Sequence, residues 1–166
     1  MGASAKRGPC VRFLTVKWGR SCVLAAMAAT AVMVAACGGS SYTKRDFIVR
    51  ADAICASALR QSRSITPGTA LATYLAAYIP VLQAEESQLR GLKRPPGSQR
   101  DRATLEQYYA ALSQTVAEYR QLAAAVKSGD DQGVTNAEAA LGSSPVYSLA
   151  TSYGLSSCGT PGSTAV

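Results

Sequence analysis

The chain contains no histidine. That removes the commonest general base and the commonest transition-metal ligand at once. Acidic residues are missing from the first 20 positions, which hold Lys6, Arg7, Arg12, Lys17 and Arg20. Those five of the 17 Lys and Arg leave 12 against 10 Asp and Glu in the remainder. The net charge of +7 therefore belongs mostly to the head of the chain, and the surface beyond it is nearly balanced. Nucleic acid is not an expected partner, because phosphate binding needs a concentrated basic footprint. Alternating apolar and polar residues are scarce as well, which argues against sheets.

The carboxylates are too few and badly spaced for catalysis. Glu85 and Glu86 are adjacent, so on a helix they diverge by about 100° and do not flank one bond as glycosidase pairs do. Asp130-Asp131 lacks the alternating spacing of a calcium loop and reads as a solvated helix start. No enzyme, no metal and no cofactor is expected.

What is present begins with a targeting pattern. After Arg20 comes an uncharged, mostly apolar run, Ser21 to Ala36. It is shorter than the ~20 residues that span a bilayer as a helix. A basic stretch, a short apolar stretch and small residues, in that order, read as a signal peptide over residues 1–36. The run closes on Val34-Ala35-Ala36-Cys37, which resembles the bacterial lipobox, where the cysteine thiol takes a diacylglyceryl group. An ordinary signal peptide stays open as the alternative, since Val34 and Ala36 also suit the general signal peptidase. Gly38-Gly39-Ser40-Ser41 supplies a flexible tether, so residues 37–42 are assigned to the lipidated cysteine and its linker. Val11 and Val16 are alternative starts that would shorten the basic segment.

Five cysteines then divide. Cys10 and Cys22 leave with the signal, Cys37 carries lipid, and Cys55 and Cys158 remain. Two cysteines in an oxidising compartment have one pairing open to them, or stay as two free thiols. A bridge would close a loop of about 100 residues and stabilise by ~4 to 5 kcal/mol in the chain-entropy model.

The rest reads as helix, over a domain of residues 43–159 with a disordered tail at 160–166. The first segment, Thr43 to Arg63, opens on a capping-box spacing of Thr43 and Asp46 and keeps Phe47, Ala51, Ile54 and Ala58 on one face. Thr66-Pro67-Gly68 ends it, with Pro67 suited to the first position of the next helix. The second carries Leu71, Leu75, Tyr78, Leu82, Leu89 and Leu92, with Glu85 on the polar rung and a kink expected at Pro80. In the third, about Ser98 to Lys127, Leu105, Tyr109, Leu112, Val116, Tyr119, Ala123 and Val126 hold an unbroken 4-3 ladder. Gln114 and Glu118 fall off that ladder and are expected at the surface. Thr135 and Glu138 mark a fourth start, and Ser144-Pro145 a short further helix closed by Gly154 and Leu155. About four amphipathic helices with short connections predict an all-α, up-down-up-down antiparallel bundle, with a homodimeric coiled coil as the alternative.

The stretch from Thr43 through Phe47-Ile48 to Ala51-Asp52-Ala53-Ile54-Cys55 resembles the opening of a group of small actinobacterial secreted lipoproteins. Their mature chains begin with a similar F-I-x-x-A-D-A-I-C and end near Y-G-L-x-x-C-G, as Tyr153-Gly154-Leu155 to Cys158-Gly159 does here. The resemblance spans most of the mature chain and is sharpest at its two cysteine-bearing ends. It implies a secreted helical domain with a terminal disulfide in a high-GC Gram-positive envelope, and no activity.

Two surfaces are candidates for binding. Arg90, Lys93, Arg94, Arg100 and Arg102 crowd the connection between the second and third helices, with Asp101 against them, and are a candidate contact for anionic headgroups or wall polymers. Tyr74, Tyr78, Tyr109 and Tyr119 lie on or beside the apolar seams and are candidates for lining a ligand pocket near Pro80. A solvated hinge for the basic set and ordinary core packing for the tyrosines are the simpler explanations. The expectation is a lipoprotein anchored through Cys37 on the extracytoplasmic side of the cell membrane. Its helical domain binds or scaffolds an envelope protein, or alternatively a small ligand.

Overall fold

The structure, a computed structural model, describes residues 41–66 and 68–161. The expected signal peptide, the expected lipobox with Cys37, the Gly38-Gly39-Ser40 part of the expected tether, Pro67 and residues 162–166 lie outside that range. Among the described residues there are five α-helices and no strand: α1 (Lys44–Arg63), α2 (Leu71–Gly91), α3 (Gln99–Ser128), α4 (Asp131–Gly142) and α5 (Val146–Tyr153). One disulfide joins Cys55 to Cys158. None of these helices is long and apolar enough to cross a membrane.

Local chemistry fixes most of the helix ends. At α1 the Thr43 hydroxyl accepts from the Asp46 N–H while the Asp46 carboxylate accepts from the Thr43 N–H. The same reciprocal box, Ser98 with Asp101, opens α3. Each box satisfies two backbone donors that a helix start leaves unpaired. Gly129 ends α3 in the left-handed conformation. At the end of α5, Gly154 at φ 103° lets its own N–H reach Thr151 O and the Leu155 N–H reach Ala150 O. Leu155 is then delivered fully buried into the core.

Three starts differ from the sequence reading. Helix α2 begins at Leu71 on Ala70, which has no side chain able to cap it. Helix α4 starts at Asp131, because Asp130 caps the Gly133 N–H; Thr135 lies inside the helix and donates back to Asp131 O. Ser144 does not cap α5 and instead exchanges a 2.8 Å hydrogen bond with Thr115 on α3. Thr160, assigned to the tail, is bonded back to Ser156 and Ser157.

The core is organised around α3, which packs against α2, α4 and α5. The expected ladder is buried from Leu105 to Val116 and half-buried beyond, at Tyr119, Ala123 and Val126. A second buried stripe runs beside it: Tyr108, Ala111, Thr115, Glu118, Leu122 and Ala125. Glu118 is therefore a core residue, 6 % exposed, and not a surface one. Its Oε1 accepts from the Gln114 amide at 3.0 Å, while its buried Oε2 has no protein partner. The larger core cluster gathers Phe47, Ala51 and Cys55 of α1 with Leu89, the first half of α3, α5 and Leu155. Smaller clusters join Leu75, Leu122 and Ala137, and Tyr78, Leu82 and Val116.

Candidate functional site

The clamp at the chain's two ends is the best-determined feature. Cys55 and Cys158 are bonded with their Cα atoms 5.0 Å apart. Asp52, three residues before Cys55, accepts from the Ser156 N–H and hydroxyl and from the Ser157 N–H, at 3.2, 2.9 and 2.8 Å. The carboxylate thus holds the segment that carries Cys158 against α1. Spacing alone gives no hint of this role, since Asp52 reads as an ordinary polar position of an amphipathic helix.

The four candidate tyrosines do not form one site. Tyr74 stacks on Tyr78, and Tyr78 meets Tyr119 edge-on at 5.1 Å. Tyr109 is elsewhere: it packs on Tyr108, and its hydroxyl donates to Leu89 O at 2.9 Å. Beside Tyr78 lies a cavity of about 40 Å³, walled by Leu82, Glu85, Tyr108, Leu112 and Tyr147 and reaching Cys158. At ~10 to 15 Å³ per water it has room for two or three water molecules. The several hundred Å³ that a bound small ligand occupies are not there. Burial pushes the Tyr78 and Tyr108 hydroxyls far above the ordinary phenol range, and Tyr119 to about 12. They stay protonated at neutral pH and serve as packing surface.

Glu85 faces this cavity, and burial lifts its carboxyl to about 7. An unfolded glutamate titrates near ~4.3, so between these values the folded chain keeps a proton that the unfolded chain releases. Stability is then highest below the unfolded value and falls as pH rises towards the folded one. The loss is ~4 kcal/mol at the upper bound, reduced by the partial exposure of the side chain. Glu85→Gln, which mimics the protonated acid, is expected to abolish that fall. Denaturant midpoints of wild type at about pH 5 and about pH 8 provide the check. Equal wild-type midpoints would contradict it.

The basic residues at the α2–α3 connection divide into two groups. Arg90 is used internally: it bonds Glu86, Tyr109 O and the Ser113 hydroxyl, and the same hydroxyl donates to Glu86. Arg94 pairs with Glu106 at 2.7 Å and lies over the Tyr109 ring. Lys93, Arg100 and Arg102 are exposed. Lys93 stands 5.7 Å from the Tyr42 ring, whose surroundings also include Arg50 at 5.4 Å. Lys44 donates to Asp101 at 2.6 Å and covers the Tyr153 ring. That bond, with those from Ser98, draws the Asp101 carboxyl down to about 2.

A Ser-x-x-Lys spacing, Ser41 to Lys44, stands at the head of the domain. With its ammonium bound to Asp101, Lys44 belongs to an ion pair and not to a nucleophile–base pair. Among the described residues no group of three or more Cys, Asp and Glu could hold a metal ion. Cys37, the expected lipidation site, is outside the described residues. No protein family, curated protein or solved structure matches the chain.

Proposed function

We propose that the chain is a lipoprotein held on the extracytoplasmic face of the cell membrane through Cys37, with a non-enzymatic helical domain that binds or scaffolds an envelope protein. One observation carries this reading. The first helix cap is Thr43, six residues beyond the lipobox cysteine, so anchor and folded domain are separated only by a short tether. The disulfide fits an oxidising, exported location, as does the resemblance to small actinobacterial lipoproteins. The 40 Å³ volume of the cavity beside Tyr78 weighs against a small-ligand pocket near Pro80.

The proposed scaffold is an antiparallel bundle, with α4 and α5 together in the fourth position. Partners on α2 and α3 run in opposite order, which supports it: Arg90 meets Tyr109, Glu86 meets Ser113, Tyr78 meets Tyr119, and Leu75 packs with Leu122. A bend of α2 at Pro80 belongs to the same proposal, since proline deprives the helix of one donor and crowds the preceding turn.

The anchor is tested by metabolic lipid labelling. Cys37→Ala is expected to lose the label and to accumulate as unprocessed precursor, because the two acyl chains of the diacylglyceryl group on this thiol give stable attachment. A Cys37→Ala protein that still carries lipid would sink the proposal.

A further inference from the structure

We infer that the end of the domain formed by the starts of α1 and α3 is a docking surface for anionic phospholipid headgroups, so that the domain sits on the membrane with this end down. The inference rests on the lipid anchor proposed above.

The charges of the domain are segregated. Lys44, Arg45 and Arg50 of α1 come together with Lys93 and Arg94 of the α2–α3 connection and with Arg100 and Arg102 of α3. Three carboxylates lie among these seven cations, and each has a partner there: Asp46 with Thr43, Asp101 with Lys44, Glu106 with Arg94. Elsewhere in the domain the balance reverses, with Arg60, Arg63, Arg90, Arg120 and Lys127 against seven acids. A mature charge close to neutral therefore conceals a positive end and a negative remainder. The Lys44–Asp101 bond brings the starts of α1 and α3, the positive ends of their dipoles, to the same place.

The chain itself selects which end meets lipid. Tyr42, the last residue of the tether, has Arg50 at 5.4 Å and Lys93 at 5.7 Å from its ring. Four residues separate it from Cys37, a reach of about 18 Å at most over the five steps. No other part of the domain is tied so closely to the acyl chains. Val49 adds an apolar contact: at 62 % exposure it is the large hydrophobic side chain left in water among the described residues, one turn from Arg45. A recess of about 90 Å³ lies among Arg94, Arg102, Asp101 and Glu106, so its own charge is balanced, and the cations free to meet headgroups are the exposed ones around it, Arg45, Lys93 and Arg100. Juxtamembrane cations of this kind gain from the negative surface potential of anionic bilayers.

The three lysines beyond Cys37 provide the test, because Lys44 and Lys93 are at this end and Lys127 is not. The acylated mature protein is placed on vesicles of phosphatidylcholine alone, and on vesicles of equal parts phosphatidylcholine and phosphatidylglycerol. Amine acetylation is followed residue by residue with peptide mass spectrometry. On the anionic vesicles Lys93 is expected to react about fivefold more slowly, and Lys127 at an unchanged rate. Molar salt, where the screening length falls to about 3 Å, should remove the difference. Replacing both Arg45 and Arg50 with Gln should weaken it. Protein that floats with both vesicles yet shows one Lys93 rate overturns the headgroup surface and leaves the anchor standing. Protein that floats with neither removes the anchor and this inference together. Slowing of Lys93 on neutral vesicles by an added soluble anionic wall polymer, without slowing by phosphatidylglycerol, would assign the surface to the polymer and overturn it for lipid.

Discussion

Replacing Cys55 and Cys158 together with Ser is expected to lower the unfolding free energy by ~4 to 5 kcal/mol. The bridge spans 103 positions, so it restricts nearly the whole unfolded domain. Against a total of about 5 to 15 kcal/mol for a typical domain, that loss leaves little. Asp52 softens it, since its three hydrogen bonds to Ser156 and Ser157 hold the Cys158 segment in place without the covalent link. Urea melts of the soluble domain from Ser41 onward, with and without reductant, measure the effect directly. Identical midpoints would mean that the bridge adds no stability. Restoring one cysteine should not help, because both partners are needed.

Leu122→Ala should cost ~2 to 5 kcal/mol, as should Leu112→Ala, by lost burial and the cavity left behind. Leu122 is fully buried between α2, α3 and α4. Gln114→Ala is the informative companion. An exposed residue off the apolar ladder ordinarily changes stability by no more than ~0.5 kcal/mol. Here the lost amide leaves both oxygens of the buried Glu118 unpaired, so the cost should rise to ~1 to 3 kcal/mol. The double variant with Glu118→Leu should recover part of it. Melts in which Gln114→Ala is silent would show that Glu118 is solvated in solution.

These two sites show where the sequence is readable. The boxes at Thr43/Asp46 and Ser98/Asp101, and the left-handed close at Gly154 before Leu155, are set by residues within one turn of each other, so spacing alone identifies them. Pairing of Cys55 with Cys158 is legible for a different reason: with Cys10 and Cys22 assigned to the expected signal and Cys37 to the expected lipid, counting leaves them no other intramolecular partner. The single seam assigned to α3 was half of the truth. Its neighbouring stripe includes Thr115, Glu118 and two alanines, Ala111 and Ala125, which do not announce burial, and packing by other helices makes them core. The start of α4 was displaced because Asp130 and Thr135 are both competent caps, and the turn at Gly129 decided between them. For the tyrosines, helical spacing located the seam but not the neighbours. Tyr109 and Tyr119 share one ladder, yet Tyr109 packs on Tyr108 and bonds Leu89 O, while Tyr119 meets Tyr78.

The disulfide also decides how the molecule carries mechanical load. A pull applied at Tyr42 against residues following Cys158 travels along α1 to Cys55, crosses the bridge and leaves by Cys158. Residues 56–157 are outside that path. Only the turns of α1 before Cys55 can be drawn out, from about 20 Å as helix to about 45 Å at full stretch. Four of the five helices are thus shielded from tension between the two ends, and reduction of a single bond would expose them all.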